Sequence, residues 1–198
     1  MSERFKDKYR TETTRLKNWD YSSPGAYFVT ICTKKGKYYF GVLKNEQMQY
    51  TEIGKIAKQC FIEIPEHYPN VIINEFVVMP NHVHGLIIIT DENKNEIRNV
   101  ETQNFVSLQQ RKNYYYQETK WKPNKFGPQS KNLSAIIRGY KTGVTEYANS
   151  NKILFTWQSK FHDRIVRNKN EFYRIKKYIK NNIKNWDKDK NNPNGIFI

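Results

Sequence analysis

The chain lacks the features that mark several large protein classes. It has two cysteines, Cys32 and Cys60. Each lies in an apolar segment, so a disulfide framework is not what organises the fold. Buried free thiols of a cytoplasmic protein are expected instead. No apolar run reaches the roughly 18 residues that a membrane-spanning helix needs. The opening MSERFKDKYRTETTR has no apolar secretion core. No G-x-x-x-x-G-K-[ST] loop occurs, which argues against a P-loop nucleotide hydrolase. Acidic side chains are scarce: 19 Asp and Glu stand against 34 Lys and Arg, a formal charge of +15. Such an excess predicts a polyanionic partner, nucleic acid first, because each neutralised phosphate releases condensed counterions. Binding to an anionic bilayer would call for a helix with Leu, Phe and Trp opposite Lys. None stands out, so no membrane partner is expected.

At 198 residues the chain suits one domain with its own core. Residues 1–17 are polar and read as a frayed or surface-strapped lead. Ser23-Pro24-Gly25 signals a turn, and Ala26–Thr33 is rich in β-branched and aromatic residues, which predicts a strand. A returning strand is expected over Tyr38–Val42. From Thr51 to His67 the apolar residues Ile53, Ile56, Ala57, Cys60, Phe61 and Ile64 recur at helical spacing, with a stop near Pro65. Strands over Val71–Met79 and His82–Thr90 should pair through the Pro80-Asn81 turn. Residues 91–131 carry no sustained period and read as a long polar insertion, partly disordered. Its Tyr114-Tyr115-Tyr116 and Trp121, set among lysines, suit either stacking on single-stranded bases or packing on the domain's own surface. A helix over Leu133–Asn149, extended pieces at Ile153–Trp157 and Arg164–Val166, and a last helix over about 169–185 complete the order. Hairpins with helices between them predict an α+β fold: one antiparallel, ferredoxin-like sheet with helices on one face.

The stretch VVMPNHVHGLIIIT holds His82 and His84. On a strand they share a face and can bind one divalent ion, or they can simply border the core. Two ligands are too few for a tight site. The last helix offers more. Phe172, Ile175, Ile179, Ile183 and Trp186 form an apolar stripe, and Tyr178 and Asn182 sit one turn apart on its edge. Asn182 brings a carbonyl oxygen suited to a hard cation, and Tyr178 a phenol. The same pattern also fits an amphipathic helix with a half-buried tyrosine and a solvated basic face. Between Lys160 and Lys190 there are 11 Lys and Arg against 4 Asp and Glu, a concentration of charge fit for phosphates.

MPNHVHGLIII, WQSKFHDRIVR and EFYRIKKYIKNNIKNWD, in that order, resemble the REP-associated tyrosine transposases. These are single-tyrosine members of the HUH endonuclease type, named for histidine, bulky hydrophobe, histidine, as in His82-Val83-His84. RLKNWDYSSPGAYFVTICT resembles the family's opening strand, and the likeness spans roughly residues 15–90 and 132–187. It implies a ferredoxin-like core with the histidine pair on a central strand. It implies Tyr178 as nucleophile and Asn182 as third metal ligand with His82 and His84, holding Mg²⁺ or Mn²⁺. Relatives often continue Asn-Pro where this chain has Ile183, so its helix is expected to run longer.

The activity implied is cleavage and rejoining of hairpin-bearing single-stranded DNA through a 5′-phosphotyrosine, with a free 3′-OH. No ATP is needed, because the covalent intermediate conserves the bond energy. Arg138, Lys141, Arg164, Arg167 and Lys177 are candidate phosphate contacts. His162 suits either a proton shuttle or a structural role. A bacterial, nucleoid-associated protein capable of forming a homodimer is expected. Two other readings remain open: a non-catalytic nucleic-acid-binding module or domesticated descendant, and a zinc hydrolase using His67 or His162 beside the pair.

Overall fold

The computed structural model describes residue 16 and residues 19–91 and 132–193. Apart from Leu16 and Asp91, the polar lead and the 91–131 insertion lie outside the described residues. Six strands and four helices follow one another: β1 (Gly25–Cys32), β2 (Gly41–Lys44), β3 (Gln47–Tyr50), α1 (Glu52–Ile62), α2 (Ile64–His67), β4 (Val71–Val78), β5 (His82–Ile89), α3 (Leu133–Ser150), β6 (His162–Val166) and α4 (Lys169–Asn181). The main sheet has the order β4-β5-β1-β6, and every pair in it is antiparallel. This is the ferredoxin-like arrangement, with the histidine strand β5 at its centre. β2 and β3 form a separate two-stranded sheet.

The α+β class stands, but the helices are not confined to one face. β5 is buried at all eight positions. Val83, Ile87 and Ile89 join Tyr27, Val29 and Ile31 of β1 in a core with Phe61 of α1 and Leu133, Ile136 and Ile137 of α3. Leu86 and Ile88 point the other way, into a second core with Phe172, Ile175 and Ile179 of α4. A strand apolar on both sides needs cover on both. α1 and α3 supply one layer and α4 the other. Gly85 belongs to the first face: a methyl there would lie 2.4 Å from Cζ of Phe61.

Local chemistry sets the helix ends. Thr51, Asn132 and Asn168 cap α1, α3 and α4 by accepting from the N–H of Gly54, Ala135 and Glu171. The expected 51–67 helix is two pieces, α1 and α2, parted at Glu63 with Pro65 in the first turn of α2. α4 ends at Asn181, earlier than expected. With no proline to stop it, the chain continues through turns into a 3₁₀ turn, Trp186–Lys188. The strand expected over Tyr38–Val42 begins instead at Gly41 and pairs with β3, a short strand that was not expected. The Ile153–Trp157 piece contributes only a bridge from Trp157 to Thr33. Among the described residues no helix is long and apolar enough to cross a membrane.

Candidate active site

β5 places His82 and His84 on the face toward α4, opposite Cys32 and Thr30 of β1. Both rings are fully buried, with centroids 4.4 Å apart. Each is held from behind. Nδ1 of His82 lies 2.9 Å from Oδ1 of Asn81. Nδ2 of Asn81 donates to the carbonyls of Gly36 and Asn191, at 3.2 and 2.7 Å, which fixes that amide's orientation. Its Oδ1 can only accept, so His82 carries its proton on Nδ1 and turns the Nε2 lone pair into the site. Nδ1 of His84 lies 2.9 Å from Oγ1 of Thr30. Burial, then the neighbouring His84, pushes His82 down to about 3. Burial lowers His84 as well. Both rings are therefore neutral near pH 7, the form that binds metals.

α4 brings the phenol. Oη of Tyr178 is 3.1 Å from Nε2 of His84 and donates to Oδ2 of Asp189 at 3.3 Å. Burial, then the charge and hydrogen bond of Asp189, pushes the phenol up to about 12. One turn on, the buried Asn182 donates its Nδ2 to Oδ2 of Asp189 at 2.9 Å. Asp189 follows the 3₁₀ turn and is buried too. Its Oδ1 accepts from the backbone N–H and the Nδ2 of Asn191, at 2.7 and 2.9 Å. Burial opposes its ionisation, but contact with the histidine rings and these amide donors outweighs burial. The carboxyl is held below the usual carboxylate range.

These atoms fit a cation. Oδ2 of Asp189 stands 3.8 Å from Nε2 of both histidines. Ligand atoms of His82, His84 and Asp189 all lie within 4.8 Å of one another. Nε2 of His82 and Oδ1 of Asn182 are buried with no hydrogen-bond partner. Two acceptors without a donor thus stand beside the Asp189 carboxylate. Each orphaned buried acceptor costs about 1–3 kcal/mol, and a divalent ion between them removes that cost and their mutual repulsion.

The structure therefore brings together four residues singled out from sequence: His82, His84, Tyr178 and Asn182. It adds Asp189, with Asn81 and Thr30 behind the rings. Asp189 left little trace in the sequence: it is the second of two acids, Asp187 and Asp189, that alternate with lysines beyond the helical period. Asn81 was legible only as a turn residue. His67 ends α2, and His162 opens the edge strand β6; neither belongs to the cluster, so the third histidine of a zinc hydrolase is not supplied by them.

The basic candidates are dispersed. Arg138 and Lys141 lie on α3, on the opposite face of the sheet from the histidines. Nζ of Lys141 donates to the carbonyls of Gln158 and Lys160, at 2.6 and 3.1 Å, and burial pulls it down to about 8. Arg164 on β6, exposed Arg167 just after it, and exposed Lys177 on α4 lie on or beside the elements of the histidine face.

No protein-family model matches the chain. The solved structure of a REP-associated tyrosine transposase bound to a REP hairpin superposes with a TM-score of 0.51. That match covers 87% of this chain and 72% of the other, at 15% identity, and it shows a shared fold. An uncharacterized protein of Haemophilus influenzae is 35% identical over 182 residues, 91% of this chain and 92% of its own. On that identity and coverage, the chain belongs to the same family as the Haemophilus protein, built on the fold of a tyrosine transposase.

Proposed function

We propose that the protein is a metal-dependent DNA transposase, a single-strand endonuclease that cleaves and rejoins hairpin-bearing DNA through Tyr178. The observation that carries this reading is the pair of orphaned lone pairs, on His82 and Asn182, in the same cluster that holds the phenol oxygen of Tyr178. The fold neighbour's hairpin-bound state and the +15 charge support the choice of substrate.

His82, His84, Asp189 and Asn182 would hold the ion, with Asn81 and Thr30 orienting the rings. Two imidazoles with two oxygen donors suit Mn²⁺ better than Mg²⁺, which prefers oxygen alone. When bound, the ion would supply positive charge to a phosphate oxygen and would offset the charge of Asp189 that, after burial, keeps the phenol protonated. The protein's own part is to place the phenol. Oη of Tyr178 lies 3.1 Å from Nε2 of His84 and donates to Oδ2 of Asp189 at 3.3 Å; both of those atoms would face the ion, so they orient the phenol, and its proton passes to solvent from the exposed side of the ring. The phenolate oxygen attacks phosphorus, the P–O bond to the 3′-oxygen breaks, and that oxygen takes a proton from solvent water and leaves as a 3′-OH. The phosphotyrosine has a better leaving group than an alkoxide, so a second 3′-OH can reverse the step.

The test is covalent capture. Labelled hairpin-bearing single-stranded DNA with Mn²⁺ or Mg²⁺ should give a protein–DNA adduct that survives denaturation and is absent in Tyr178→Phe. Equal cleavage by Tyr178→Phe would remove Tyr178 from the role. Binding without cleavage under any divalent ion would favour the non-catalytic descendant.

A further inference from the structure

α4 does not cover the whole histidine face. It packs on β4 and β5. Toward the β1–β6 side Phe28 and Cys32 are only half-buried, and His162 and Arg164 are exposed. Phe28 faces Leu86 on one side and Arg164 on the other, and Thr30 faces His84 and His162. The Phe28 ring stacks on His84 at 5.2 Å and meets Tyr178 edge-on at 6.0 Å. Arg164 therefore borders an aromatic ring that touches both Tyr178 and a candidate ligand. An open corner of sheet, floored by Phe28, leads to Tyr178.

Glu171, in the first turn of α4, controls that corner. Its Oε1 accepts from Nε of Arg164 at 2.6 Å and from Nη2 at 2.5 Å. Nη2 of Arg174 stands 3.7 Å away. Oε2 accepts from the backbone N–H of Arg167 at 2.9 Å. The pair is lopsided: the Glu171 side chain is 8% exposed and that of Arg164 61%. A buried acid grips one edge of a planar fork and leaves the rest in solvent. That is how a guanidinium is pre-set for a phosphate. Two arginines reach one carboxylate, so the corner stays positive.

We propose that Glu171 is a positioning residue that holds Arg164 over the open corner beside Tyr178, where the guanidinium binds a non-scissile phosphate of single-stranded DNA. This rests on the nucleic-acid reading above but not on the chemistry of Tyr178. Glu171 also helps to cap α4, so the test separates the two roles.

Binding of a fluorescent single-stranded oligonucleotide to the full chain is measured in chelator, over a series of salt concentrations. Glu171→Gln removes a negative charge, so electrostatics alone would tighten binding, while the amide oxygen can still accept from Arg167. Positioning predicts the opposite sign: affinity about tenfold weaker, the loss of one charged hydrogen-bonded contact. Arg164→Ala should weaken binding similarly and reduce the salt slope by about 0.7, one phosphate on a single strand. Adding Glu171→Gln to Arg164→Ala should then change little. Equal or tighter binding by Glu171→Gln, or an unchanged salt slope in Arg164→Ala, overturns the proposal. Absence of wild-type binding overturns the nucleic-acid reading with it. Missing adducts, with these binding changes present, would overturn only the chemistry of Tyr178.

Discussion

His82 and His84 are neutral because they are buried, and that makes the apoprotein sensitive to acid. Unfolded, each titrates near its ordinary value of about 6.5; folded, His82 titrates at about 3. Between those values the unfolded chain binds more protons, so stability rises with pH there and falls as acid is added. The metal-free protein should lose stability steadily from pH 7 toward pH 4, and His82→Gln should flatten the curve, as read by denaturant midpoints. An unaltered slope in that variant would place the acid sensitivity elsewhere. For the ligands, Asn182→Ala and Asp189→Ala should each weaken Mn²⁺ binding tenfold or more in calorimetric titration, with the fold retained by circular dichroism. Unchanged affinity in either variant would remove that residue from the set. Strand periodicity paired His82 with His84 and helix periodicity paired Tyr178 with Asn182, but it was the resemblance to the tyrosine transposases that joined the two pairs into one site. Periodicity did not reach Asp189, because beyond Asn181 the chain follows turns that have no period to read.

Among the elements, β5 sets the geometry. Its two faces serve different layers, with His84 and Leu86 toward α4 and Gly85 between them toward Phe61. Phe61 itself stacks on Phe76 of β4 at 5.0 Å. Gly85→Ala puts a methyl into that contact and should cost about 1–3 kcal/mol by overpacking. Phe61→Leu in the same chain should recover part of it. Thermal unfolding measures both, and a Gly85→Ala protein as stable as wild type would mean that Phe61 yields freely. Long apolar strands and amphipathic helices were legible, since β1, β4, β5, α1, α3 and α4 follow their hydrophobic periods. β3 was not: Gln47–Tyr50 is four residues long, with exposed glutamines alternating with half-buried Met48 and Tyr50, too short a run to announce a strand. Nor did the order of elements say that α4 would cross to the far face. The two-sided burial of β5 requires that cover.

For the molecule as a whole, metal binding should report on folding. At a hundredfold excess over its dissociation constant, Mn²⁺ should stabilise the protein by about 2.7 kcal/mol. His84→Ala should abolish that gain in a melting experiment, and a gain that persists there would locate the ion at another site. The order of assembly follows from chain order. Oη of Tyr178 meets a histidine 94 residues earlier in sequence, and Asp189 comes later still. Short-range contacts cannot build such a centre, so it forms only once the ends of the fold have met. During synthesis, therefore, the histidine strand exists long before its phenol and carboxylate. On the proposed function, the protein could act on DNA only once α4 and the turn beyond it have been made, which would delay the chemistry until that part of the fold is in place.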